Sequence, residues 1–325
     1  MTDPNEPKHS RTSFGTIRRD RIDALAATAV VEPEDVGSSI LADAWKRLRV
    51  DPLFWIGAVI IALLVLLVLL GPWIAPHDPG DQLLIKQTSR ARNTIAPPQP
   101  GFPLGGDTFG RDFFSRMVIG ARQTFFVGVF ATLIGLIGGM ILGILAGAFG
   151  GWVDSVIMRI VDVMLSIPSL LLAFSIGVLA TSPDLTTVIV AVAIAQIPVF
   201  ARLLRGQMLG QRASDHVLAA RSLGVKQSAI VFRHVLPNSM SPVLVQATLV
   251  AATSILDAAA LAFLGLGTQD VSQPEWGQML AEAQTVFDTH PSLAFWPAGC
   301  IIVVSLGFLL LGESMREALD PKNRR

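Results

Sequence analysis

ARLLRGQMLGQRASDHVLAARSLGVKQSAIVFRHVLPNSMSP, residues 201–242, is a polar island between two long apolar runs. From Arg202 to Asn238 it reads as a loop with internal order. Asp215 is placed to cap a short helix, HVLAARSL supplies helix formers, and Gly224 offers the left-handed position that ends it. A second amphipathic piece is expected over Gln227–Val235, with Leu236-Pro237 stopping it. A helix–Gly–helix–Pro module of this kind presents a shaped surface to a soluble partner.

The runs around it are those of a polytopic membrane protein. The 325 residues are 51% hydrophobic and 15% charged, outside the usual soluble range. Formal charge is zero, which gives no argument for nucleic acid. The one cysteine, Cys300, excludes a disulfide framework, and its apolar run makes it a small buried hydrophobe. Residues 1–38 are polar and aperiodic and read as a disordered cytoplasmic tail. Residues 39–52 carry Ile40, Leu41, Trp45 and Leu48 with basic residues between, an amphipathic helix on the membrane surface.

Six spans are expected in 53–321, each needing about 20 apolar residues. They are 53–75, 125–149, 163–181 with Pro168 inside, 185–201 as the shortest, 242–264 holding Asp257, and 294–312. A long outer loop, 77–122, and the loop 202–238 connect them. Lys46, Arg47 and Arg49, Arg159, the arginines of 202–238, and Arg316 to Arg325 all fall on one side if there are six crossings. The positive-inside rule makes that side cytoplasmic, so the chain is expected in the bacterial plasma membrane with both termini inside. Gly135, Gly139, Gly143 and Gly147 form one stripe on the second span, which suits close helix packing within the chain or, second, between subunits. Arg159 and Asp162 are an i,i+3 pair at the start of the third span.

The 202–238 loop resembles the cytoplasmic "EAA" signature of ABC-importer permeases. Ala219, Ala220, Gly224, Leu236 and Pro237 match it, while Leu218 stands where that family usually has glutamate. The resemblance covers about residues 40–321 and is most specific for the C-type permeases of dipeptide, oligopeptide and nickel importers. Residues 105–116, GGDTFGRDFFSR, match a GTDxxGRDxxSR pattern with Gly106 in place of threonine. Gly120-Ala121-Arg122, Gly150-Gly151-Trp152-Val153-Asp154, Phe263 to Gly267, Pro274 with Trp276-Gly277, and Ala318 to Pro321 follow in order.

The resemblance implies an all-α, six-helix permease of the type I (MetI-like) fold. It implies one half of a translocation path for short peptides delivered by a binding protein, with nickel or another small solute as the alternative. The implied partners are a second homologous permease, two ATP-binding subunits that carry ATP and Mg, an extracytoplasmic binding protein, and the bilayer. The chain itself is then no enzyme and binds no cofactor. Asp215, Ala219, Ala220, Arg221, Gly224, Leu236 and Pro237 would form the ATPase-coupling loop, the two alanines by admitting close contact. Asp107, Gly110, Arg111, Asp112 and Arg116 are close in sequence and able to form a local salt-bridge network; they are either solvated surface or a docking face. Asp257, costly within a span, is either a structural partner of Gln246 or Gln196 or a path residue that meets a peptide amino terminus.

No GxxxxGK[ST] is present to cradle ATP phosphates, and no HExxH supports a metalloprotease. Scarce intramembrane charge and the missing repeat disfavour a secondary carrier. A scaffold that recruits a soluble protein without transport is the rival from another class.

Overall fold

The computed structural model describes residues 40–89, 94–181, 183–268, 270 and 272–319. The 1–38 tail, Arg90 and Arg92, and the basic end beyond Leu319 lie outside them. The chain divides into two units between Asp43 and Ala44, and of the first only the start of one helix is described. That helix is α1, Ile40–Leu48. The described residues form helices, with isolated bridges in the 89–112 segment and no strand.

Asp51 ends the first connection by capping α2, Pro52–Ile74: its Oδ1 accepts the Leu53 N–H at 2.9 Å, and Pro52 occupies the first turn where no N–H is needed. Helix α3, Phe113–Phe149, has 37 residues. At ~1.5 Å per residue it spans roughly 55 Å, well beyond a ~30 Å hydrocarbon core. Its first turns, with Arg116 and Arg122, therefore stand outside the apolar layer. These charges conceal the start of the helix in the sequence, so the helix that carries the second span begins at Phe113, within the expected outer loop 77–122.

The third span is not one helix. Helices α4 (Gly151–Ser166) and α5 (Ser169–Gly177) meet at 94° across Ile167 and Pro168. Pro168 removes a donor and pushes Ile167 into extended backbone, φ −98° and ψ 130°. The expected shortest span is a long one, α6, Leu185–Arg212, opened by a reciprocal Asp184–Thr187 capping box. Helices α7 (Asp215–Ser222) and α8 (Gln227–Ile230) lead into a π turn, Val231–Val235, and α9, Leu236–Leu261. A second π turn, Ala262–Leu266, ends that span. Helix α10, Trp276–Gln284, is short, and α11 is Ser292–Leu319. Among the described residues five helices are long and apolar enough to cross a membrane, and the bent pair makes six if counted as one span.

The tightest contact is α3 on α6. Gly135, Gly139, Gly143 and Gly147 are all buried along it, so the glycine stripe packs within the chain. A Cβ at Gly139 would lie 2.4 Å from the Phe200 Cβ and 2.7 Å from the Ile197 carbonyl oxygen. Only a missing side chain lets the two backbones come this close. On the other flank α11 packs on α2, with Gly307 admitting Ile60. Cys300, half-buried, lines an apolar cleft of about 600 Å³ there with Leu64, Leu67, Trp276 and Phe295.

Gly139→Ala overpacks the α3–α6 seam and is expected to destabilise by about 1–3 kcal/mol. Gly206→Ala, on α6 with nothing within 4 Å of the added carbon, is expected to be neutral or stabilising. Thermal unfolding of both variants in detergent checks the contrast.

Candidate functional site

The polar module folds as helices throughout most of its length, because α6 continues through Arg202 and Arg205 to Arg212. Ser214, not Asp215, holds the N-cap position of α7, its hydroxyl bonded back to the Gln211 carbonyl at 2.6 Å. Asp215 is the first helical residue and places its negative charge at the positive helix end. At the other end Val225 N–H reaches the Ala220 carbonyl at 3.2 Å and Gly224 N–H the Arg221 carbonyl at 3.0 Å. With Gly224 at φ +74° this is a Schellman termination.

Leu236-Pro237 does not stop the second piece. The chain widens into the π turn, and Pro237 enters α9 in its first turn, where a missing N–H costs least. Val217, Ile230, Val231 and Val235 are buried against Phe200, Leu204 and Met208 of α6 and Val243 of α9. Asn238 Nδ2 lies 3.3 Å from His216 Nε2, a second tie between α7 and α9. Ala220 is only 8% exposed and packs inward, whereas Ala219 is exposed. Leu218, Leu223 and Phe232 face outward, a set of apolar side chains at a polar end of the molecule. The Leu218 side of the module thus offers shape and apolar area where a carboxylate would offer charge.

Beside it, α4 is tied to α6 by ions. Asp154 takes the Arg205 guanidinium through both oxygens, one contact being 2.6 Å, and Asp162 pairs with Arg202. Asp162 therefore reaches across helices and does not serve the local Arg159 pair. Arg212 Nη1 donates to the Gly147 carbonyl at 2.7 Å, closing the end of α3 on α6.

At the opposite end a charge knot sits on the start of α3. Asp107 Oδ1 accepts the N–H groups of Phe109 and Arg111 at 2.8 and 2.9 Å. Its Oδ2 accepts Arg111 Nε at 2.6 Å and a short bond from Arg116 Nη1. Both guanidinium groups also bind Glu282 of α10, Arg111 at 2.7 Å and Arg116 at 3.0 Å. The knot is neither solvated surface nor an open docking face: Arg111 is 2% and Arg116 1% exposed. Asp112, fully buried, does separate work. It caps α3, taking the Ser115 hydroxyl at 2.6 Å, and lies 3.1 Å from His77 Nδ1. Gly110 has φ +74°, and a Cβ there would be 2.5 Å from the Ile85 nitrogen.

Glu282, His77 and Glu275 carry no mark in the sequence, since each takes its role from a distant element. Glu275 is 2% exposed, and its Oε2 has no hydrogen-bond partner. Burial alone pushes its carboxyl up to about 7. Next to it Trp276 is buried on Gly120, with Nε1 donating to the Met117 carbonyl at 2.9 Å. Within the spans Gln196 Nε2 donates to Asp257 Oδ2 at 3.2 Å, so Gln196 is the partner found and Gln246 is not.

Residues 139–325 match the family model described as binding-protein-dependent transport system inner membrane component. Residues 39–98 match the N-terminal TM domain of oligopeptide transport permease C. The chain is similar to the dipeptide transport system permease protein DppC of Alkalihalophilus pseudofirmus, 39% identical over 89% of this chain and 93% of that one. It is 41% identical to the probable D,D-dipeptide transport system permease protein DdpC of Escherichia coli, over 91% and 96%. To the glutathione transport system permease protein GsiD of Pectobacterium atrosepticum it is 36% identical, over 94% and 99%. A crystal structure of an amino acid ABC transporter with histidines shares the fold, at TM-score 0.51 and 19% identity, covering 62% of this chain and 92% of that one.

Glu282→Ala leaves two buried guanidinium groups with Asp107 as their remaining carboxylate. A loss of about 3–5 kcal/mol is expected, read as a lower unfolding temperature. Glu275 has the opposite pH signature to a paired acid. Its folded value lies above the unfolded one, so the folded state holds the proton more tightly and stability falls between pH ~4.5 and ~7. The loss levels off above that window at about 3 kcal/mol. Glu275→Gln is expected to remove this slope, with unfolding temperatures measured from pH 5 to 8.

Proposed function

The chain belongs to the family of binding-protein-dependent transport system inner membrane components, and from that membership we propose one half of the translocation path of an ATP-driven importer of short peptides. Permeases of this family are multi-pass membrane subunits that work with a partner permease, ATPase subunits and a binding protein. ATP is used by the ATPase subunits. The observation that carries the peptide reading is the near full-length likeness to permeases named for dipeptides, D,D-dipeptides and glutathione.

The module 215–235 is the surface we assign to the ATPase. Exposed Leu218, Leu223 and Phe232 would enter a groove on that partner, with Ala219 allowing close approach and Arg221 at the edge. Closure of the ATPase dimer then moves a rigid body. Val217, Ile230 and Val235 pass the displacement to α6 and α9, because a packed core shifts as a unit. We assign both termini and the module to the cytoplasm, on the charge asymmetry of the short loops. The outer segment over the Asp107 knot would receive the binding protein on a stiff platform.

Co-purified with its partner permease and ATPases in proteoliposomes, the chain is expected to support ATP hydrolysis stimulated by loaded binding protein, with uptake of labelled dipeptide. Hydrolysis without uptake of any solute would favour the scaffold. Gly224→Val forces a β-branched residue to φ +74°, a strain of about 1–2 kcal/mol. It is expected to cut uptake roughly tenfold at normal membrane levels, while Gly224→Asn, compatible with that backbone, retains transport.

A further inference from the structure

Three elements bring polar groups to one point inside the apolar layer. Gln196 lies about 16 Å along α6 from Leu185, and Asp257 about 13 Å from Leu266, at ~1.5 Å per residue. Both are near the middle of a ~30 Å hydrocarbon core. Their side chains meet at 3.2 Å, and Ser169 stands beside the same carboxylate. Ser169 is the first residue after the break between α4 and α5, so the break sits at this depth too.

The surroundings of the carboxylate set it apart from the other acids on the spans. Asp154 and Asp162 have arginine partners. No Lys, Arg or His among the described residues is within ion-pair distance of Asp257. A single neutral donor leaves the carboxylate at mid-membrane without a counter-charge, an arrangement held at a cost when it serves a path. Ser166, Ile167, Pro168 and Ser169 are all exposed, and Ile167 and Pro168 have extended backbone. Non-helical backbone facing lipid at this depth does not persist; it lines water or is covered by protein. A half-exposed acid beside such a break faces the same space.

We propose that Asp257, held by Gln196 beside the break of the third span, is a cation-recognising subsite of the translocation path that takes the ammonium group of a passing peptide. Gln196 orients the carboxylate through its hydrogen bond, and Ser169 stands beside it at the break. The substrate supplies the missing positive charge as it passes and takes it away on release, so the site attracts without trapping. The identity of the cation rests on the peptide-importer reading; the existence of a cation subsite does not.

The lone cysteine makes the test direct. In a Cys300→Ser background, Ser169→Cys in the reconstituted importer is reacted with the ethylammonium and the ethylsulfonate methanethiosulfonates. The cation-to-anion rate ratio is expected to fall at least about fivefold when Asp257→Asn is added and to survive Asp257→Glu. A purely structural acid would not change charge selectivity. An inert thiol, at Ser169→Cys and at Ser166→Cys alike, or an unchanged ratio overturns the subsite. Dipeptide-loaded binding protein with ATP is expected to slow the cationic reagent. A charge-selective site that dipeptide does not protect, in a complex that takes up no dipeptide, would retain the subsite and overturn the peptide reading. Asp257→Asn is also expected to lower dipeptide uptake roughly tenfold at unchanged membrane level, and unchanged uptake would overturn the role.

Discussion

Two helices can lie backbone to backbone only where neither brings a side chain, and the α3–α6 seam uses four glycines to meet that condition. In hydrocarbon the lipid tails are as apolar as leucine, so close packing is the main source of helix association. The other parts of the permease hang on this seam. Arg212 closes one end on the Gly147 carbonyl, and Phe200, Leu204 and Met208 on the back of the same helix seat the polar module. The far end of α3 carries the Asp107 knot and the buried Trp276. One helix pair therefore links both faces of the membrane.

Charge is handled differently at the two faces. The outer knot removes Arg111, Arg116 and Asp107 from water, and it is tolerable because every charge meets an opposite one with further hydrogen bonds. It fixes α10 to α3 at the cost of desolvation, and in return defines a single geometry. The Arg202–Asp162 pair is half-exposed and contributes little to stability. Its geometry serves to hold α4 beside α6, where the third span turns. Asp257 belongs to neither class, since its partners are neutral.

Much of the architecture was legible in residue order. Period and length marked the apolar runs, and the glycine spacing at four marked the seam. Gly224 was readable because a left-handed residue after a short helix has few alternatives. The boundaries were less readable. Arg116 and Arg122 lowered the hydropathy of α3's outer turns although those turns are helical, and Pro168 lay inside one expected span where the chain bends by 94°. Pro237 looked like a stop because sequence shows the missing N–H but not the wider π turn that makes it harmless.

The sequence by itself determined an all-helical membrane permease, its glycine seam and its ordered polar module, because those features depend on local period, composition and backbone preference. Only the tertiary structure decided which charges meet: Glu282 with Arg111 and Arg116, Asp162 with Arg202, Gln196 with Asp257. It also decided that Ala220 faces inward and that Glu275 is buried with its Oε2 unpaired. Charges and polar groups find partners across the fold, at separations that no local pattern encodes, and their burial is set by elements distant in the chain.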